Sequence, residues 1–79
     1  MYTYPIDYDQ FTTDEIIAIV EFLALVEEAN TTKIDPHVLS AKHEQFRRIV
    51  NSISLEKQID RAFEKVSGFS IFKTIKKYK

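Results

Sequence analysis

The sequence predicts a small all-α domain: three main helices, a short C-terminal helix, and an extended aromatic N-terminal arm. Three observations carry this. Ten of the eleven residues from Ile16 to Val26 are apolar, and only Glu21 interrupts them. The 79 residues include one Gly and two Pro, and so few breakers mean long regular elements. Hydrophobic content of 44% with 29% charge fits a globular helical chain rather than a disordered one. A chain of this length makes a single domain, residues 1–79, whose core is marginal unless helix packing or self-association supplements it.

The arm comes first. Tyr2, Tyr4, Ile6 and Tyr8 alternate around Pro5, which holds Tyr4 extended. The rings are expected to lie over the helices, with their hydroxyls reaching a partner or water.

Helix 1 is expected from about Thr13 to about Asn30. Thr12 and Glu15 have the spacing of a capping box, and Phe11 and Ile16 the spacing of a hydrophobic staple. Asp14 and Glu15 suit the positive end of the helix dipole. At about 100° per residue, Ile16, Ile19, Val20, Leu23 and Val26 form one stripe. Ile17, Phe22, Ala24 and Leu25 spread outside it, and Asp14, Glu21 and Glu28 keep one strip polar. The run of 11 falls short of the about 20 apolar residues that a membrane span needs.

Helix 2 is expected from about Pro36 to about Asn51, with Asp35 as N-cap and proline in the first turn. Its apolar set is Leu39, Phe46, Ile49, Val50 and Ile53, with Val38 beside it. The stripe is thin where Lys42 and His43 fall. Helix 3 is expected from about Leu55 to about Ser67, capped by Ser52 or Ser54, with a seam of Leu55, Ile59, Ala62, Phe63 and Val66. Gly68 stands at the helix end. Ser70 can cap the last helix, where Ile71, Phe72, Ile75 and Tyr78 share a face and Lys73, Lys76, Lys77 and Lys79 take the rest.

The net charge of -1 conceals a split. Residues 1–30 carry seven acids and no Lys or Arg, whereas residues 31–79 carry 11 bases and five acids. Attraction between the halves, within a fold or across a dimer, is the plain reading. A basic surface for an acidic partner is the sharper one. The near-zero total argues against general nucleic-acid affinity, although Arg47, Arg48 and the terminal lysines could contact phosphates.

No catalytic or metal constellation emerges, and no cofactor is implied. His37 and His43, six apart on one helix, point in different directions and cannot share a metal. One glycine cannot build a phosphate-cradling loop. Glu56, Asp60 and Glu64 form one charged row on helix 3; Lys57, Arg61 and Lys65 form the other. Lys57–Asp60 and Arg61–Glu64 have the i,i+3 spacing of ion pairs. A solvated face is the simplest reading, and a partner-docking face made of Lys57, Asp60, Arg61, Glu64 and Lys65 is the alternative.

Residues 55–77, LEKQIDRAFEKVSGFSIFKTIKK, resemble the YktA-like family of small uncharacterised proteins from Bacillus-type Gram-positive bacteria. Tyr4-Pro5-Ile6-Asp7 and Thr13-Asp14-Glu15-Ile16 match as well. Phe69 and Phe72 stand where the family often has tyrosine, so those hydroxyls are not expected to do chemistry. The resemblance implies a cytoplasmic, all-helical bacterial protein. It brings no activity, substrate or catalytic residue.

The expectation is a non-enzymatic cytoplasmic module that binds a protein partner or serves a regulatory role. The opening MYTYPIDYD is not read as a signal peptide, and the absence of Cys agrees with the cytoplasm. Helix 1 calls for more cover than helices 2 and 3 are expected to supply, which suggests a homodimer through Ala18, Phe22 and Leu25. The alternative is a nucleic-acid- or ribosome-associated accessory protein that uses the basic C-terminal part.

Overall fold

Four helices in chain order make up the fold in a computed structural model that describes residues 9–78. They are α1 (Thr13–Thr31), α2 (Pro36–Ile49), α3 (Ile53–Ser67) and α4 (Ile71–Lys77), and no strand occurs among the described residues. The arm positions Tyr2, Tyr4, Ile6 and Tyr8 lie outside the described residues.

The capping residues set the starts. The Glu15 N–H donates to Thr12 Oγ1 at 3.3 Å, and the Thr12 N–H donates to Glu15 Oε1 at 2.9 Å. This reciprocal box satisfies two backbone donors that the first turn would otherwise leave open. Phe11 and Ile16 both pack against the core. Asp35 accepts from the His37 N–H at 2.9 Å to open α2. Ser52, not Ser54, opens α3, accepting from Leu55 N–H at 3.4 Å. Helix 2 accordingly stops at Ile49 rather than Asn51, and α3 starts two residues ahead of the expected Leu55. Gly68 ends α3 with φ 82°, a left-handed conformation that glycine adopts without a Cβ penalty.

The core joins all four helices. Ile19, Phe22, Leu23 and Val26 of α1 meet Leu39 and Phe46 of α2, Val50 after it, Ile59 and Phe63 of α3, and Ile71 of α4. Helix α1 packs along α2 and against α4, and α3 also meets α4. Its buried arc is rotated by roughly 60° from the expected stripe, at about 100° per residue, toward Phe22 and Ala29. The rotation leaves Asp14, Ile17, Glu21, Ala24 and Glu28 exposed, so α1 is not covered all round.

The thin stretch of α2 is where this cover comes from. The His43 ring stacks on Phe22 with centroids 5.6 Å apart, and Phe46 stacks on the same ring at 4.8 Å. Lys42 Nζ reaches Glu21 Oε2 at 3.4 Å, joining the acidic and basic halves of the chain. A long cationic stem can cover apolar surface while its head stays wet. The C-terminal end is clasped to the α1–α2 loop: the Tyr78 hydroxyl donates to Ala29 O at 3.0 Å and accepts from Ile34 N–H at 3.4 Å. Asn30 Nδ2 donates both to Val26 O and to Thr74 Oγ1, each at 2.8 Å.

Candidate functional site

The α2–α3 turn converts residues far apart in sequence into one groove. Because α3 starts at Ile53, this side chain leaves the α2 apolar set and stands 67% exposed at the base of α3. Phe72, expected on the core face of α4, is 43% exposed, while Ile71 and Thr74 take the buried positions. Ile53 and Phe72, with half-buried Ile75, line a groove of about 420 Å³ between α2, α3 and α4. This lies toward the small end of the roughly 300–1,000 Å³ typical of ligand pockets.

The rim is cationic. Arg47 comes from α2, Lys57 from α3 and Lys76 from α4, and His43 lines the wall. Helical spacing explains the grouping: His43 and Arg47, Ile53 and Lys57, and Phe72 and Lys76 are each four residues apart and so share a face. The acid in the wall is Glu56, 7% exposed, whose carboxylate lies 3.6 Å from Arg47 Nε. That pair ties α2 to α3 across their turn. The Arg47 side chain is itself largely in water, so the pair's own contribution to stability is small.

A second hollow, about 610 Å³, lies between the α1–α2 loop and Tyr78. Of its lining side chains, Asn30 and Tyr78 are engaged in the clasp described above, and Lys33 and Lys77 line it as well. Among the described residues, no group of three His, Cys, Asp or Glu could hold a metal ion. No helix among them is long and apolar enough to cross a membrane.

The expected docking row on α3 divides. Lys57, Arg61, Glu64 and Lys65 are exposed, but Asp60 is not a surface partner for Lys57. Its carboxylate accepts from the Ser70 hydroxyl at 3.2 Å and from the Ile71 N–H at 2.6 Å, which makes it a structural cap of α4. Glu64 pairs with Lys73 of α4 at 3.6 Å. The expected self-association face also changes. Phe22 is fully buried within the chain, where Phe46 of α2 stacks on it. Leu25 packs against the core, and Ala18 is half-buried beside it.

Sequence reasoning missed the groove. The first of two signals was an isoleucine directly after a capping serine, a position in the first turn where it has no i−4 neighbour on its own helix to pack upon. Phe72 followed by a lysine-rich turn was the second, and it had been assigned to the core.

Fold and groove together define a small all-α domain with a basic-rimmed apolar cleft. The chain belongs to the uncharacterised protein family UPF0223, whose family model matches residues 1–79. It is 45% identical over 78 residues to a UPF0223 protein of Streptococcus uberis, covering 99% of this chain and 84% of that one. A UPF0223 protein of Bacillus cytotoxicus is 42% identical over 78 residues, with coverage of 99% and 86%. One from Enterococcus faecalis is 36% identical over 78 residues, with coverage of 99% and 84%. The resemblance read from residues 55–77 therefore extends over nearly the whole chain, to relatives in Gram-positive bacteria. No solved structure matches.

Proposed function

We propose that this chain is a non-enzymatic, cytoplasmic protein-interaction or regulatory module, and that it docks its partner in the α2–α3–α4 groove. The observation that carries this reading is the convergence of Ile53, Phe72 and Ile75 on one cleft, two of them large apolar side chains open to water. Single exposed apolar residues are ordinary, but apolar groups gathered within a polar rim mark interaction surfaces. The titratable groups of the groove favour binding over catalysis. They are rim cations, a histidine stacked on a core ring, and a carboxylate beside Arg47.

The test is capture from a bacterial lysate, with and without nuclease, comparing the parent chain with Phe72→Asp and Ile53→Asp. Both side chains are exposed enough for the variants to fold, which a thermal melt checks. A defined protein retained after nuclease and lost with both variants is the expected result. Retention unchanged by either variant overturns the groove as the docking site, and loss on nuclease treatment moves the reading to nucleic acid.

A further inference from the structure

Resting on that reading, we infer that the groove is built for an acidic amphipathic segment of a partner protein: apolar anchors at helical spacing flanked by carboxylates. Three features of the groove specify this occupant. The floor of Ile53, Phe72 and Ile75 is apolar and takes side chains of similar kind. Among the described residues, the rim sets Arg47, Lys57 and Lys76 against one carboxylate, Glu56, which is 7% exposed and already beside Arg47. The uncompensated cations therefore point to acidic groups at the edge of whatever fills the floor. In the helix-in-groove mode, apolar anchors at i, i+3 or i+4 and i+7 supply affinity, and flanking charges supply orientation and rate.

The rest of the molecule sharpens the choice. Asp14, Glu21 and Glu28 form an exposed acidic strip on α1, a helix that contributes nothing to the groove. An acidic partner is repelled from that strip and drawn to the rim, so the charge split of the sequence acts as a steering device. A polynucleotide fits less well. Its phosphates would meet three rim cations around a floor with a single aromatic ring, Phe72, in a chain of net charge -1, where a nucleic-acid surface needs an extended basic stripe. A second copy could offer the α1 strip, the acidic row formed by one helix face among the described residues, as a complementary surface. That contact joins two different faces, and it closes only where a rotation brings both faces of one copy onto both of the other. Glu21 of that strip is also paired with Lys42.

The experiment is a titration of the full-length 15N-labelled chain, followed by amide shifts, with three synthetic peptides. All carry Leu at i, i+3 and i+7; the flanking positions are Glu, Gln or Lys. The Glu peptide is expected to shift the amides of Ile53, Lys57, Phe72 and Lys76. The Gln peptide should bind roughly tenfold more weakly, and added salt should erase the difference. Lys57→Glu with Lys76→Glu should reverse the preference toward the Lys peptide, which a mere loss of folding could not do. Equal binding of the Glu and Gln peptides would overturn the acidic preference while leaving an apolar docking groove in place. Three further results overturn the proposal: no shift with any peptide, tighter occupancy of the same amides by an RNA oligonucleotide, or shifts at those amides on concentrating the chain alone. The parent reading fails separately, through lysate capture that the groove variants leave unchanged.

Discussion

The Ile71 backbone N–H donates to the Asp60 carboxylate at 2.6 Å, so a residue in the middle of α3 caps the start of α4. Ser70, the N-cap within α4 itself, adds its hydroxyl to the same carboxylate at 3.2 Å. One side chain thereby fixes the angle between two helices, and with it the position of Phe72 and Lys76 at the groove. Asp60→Ala should destabilise the fold by about 1.5–3 kcal/mol, the range for a hydrogen bond to a charged group. Asp60→Asn, which keeps an acceptor oxygen, should lose less. Urea unfolding measures both. A loss under about 0.5 kcal/mol for the alanine variant would place Asp60 among ordinary surface residues.

Phe22 lies at the centre of the packing, stacked between His43 and Phe46. Phe22→Ala should cost about 3–5 kcal/mol, a large part of the stability of so small a domain. Because the partners belong to the same chain, the loss should not depend on protein concentration. Unfolding midpoints that diverge between dilute and concentrated samples would return Phe22 to an interface between copies.

These two residues show where sequence reasoning stops. The starts of α1 and α2 were legible because their signals are local: Thr12 with Glu15, and Asp35 with Pro36, lie within one turn of each other. The end of α3 was legible for the same reason, through Gly68. The role of Asp60 was not, since its partners Ser70 and Ile71 lie beyond the turn at Gly68 and no helical period relates them. Phe22 was placed at an edge because periodicity gives the angle of a stripe, not the number of helices around it. With α2 on one flank and α4 near another, the buried arc keeps the width of a single stripe but is turned toward Phe22 and Ala29. The groove stayed hidden because it depends on the two-residue choice between Ser52 and Ser54, which decides whether Ile53 belongs to α2 or to α3.

Gly68 offers a test of backbone conformation isolated from packing. Its φ of 82° disfavours any side chain, yet a Cβ built there meets nothing within 4 Å. Gly68→Ala should therefore cost roughly 1–2 kcal/mol, from the left-handed backbone alone. Gly68→Asn should cost less, because asparagine tolerates that region and is used at helix ends. The order Gly, Asn, Ala in thermal midpoint is the expected series. An alanine variant as stable as the parent would mean that the turn relaxes to another conformation.

Glu27 gives the fold a pH-dependent element. It is half-buried on the flank of α1, and burial raises its carboxyl above the ordinary value of 4.5. A raised carboxyl pKa means that the folded chain holds its proton to higher pH than the unfolded chain does. As pH rises from the unfolded value of 4.5 to the raised folded value, the unfolded state binds fewer protons and stability falls. Below that window the burial penalty is absent; above it, the penalty is complete. Glu27→Gln removes the titration. Glu27 also takes part in a contact of its own, so the level of the Gln variant is less informative than its slope. The difference in unfolding free energy, Gln variant minus parent, should be flat in acid, grow in favour of Gln through the window, and level off near neutrality. A difference independent of pH, or one that grows as pH falls, would show that burial does not govern this carboxyl.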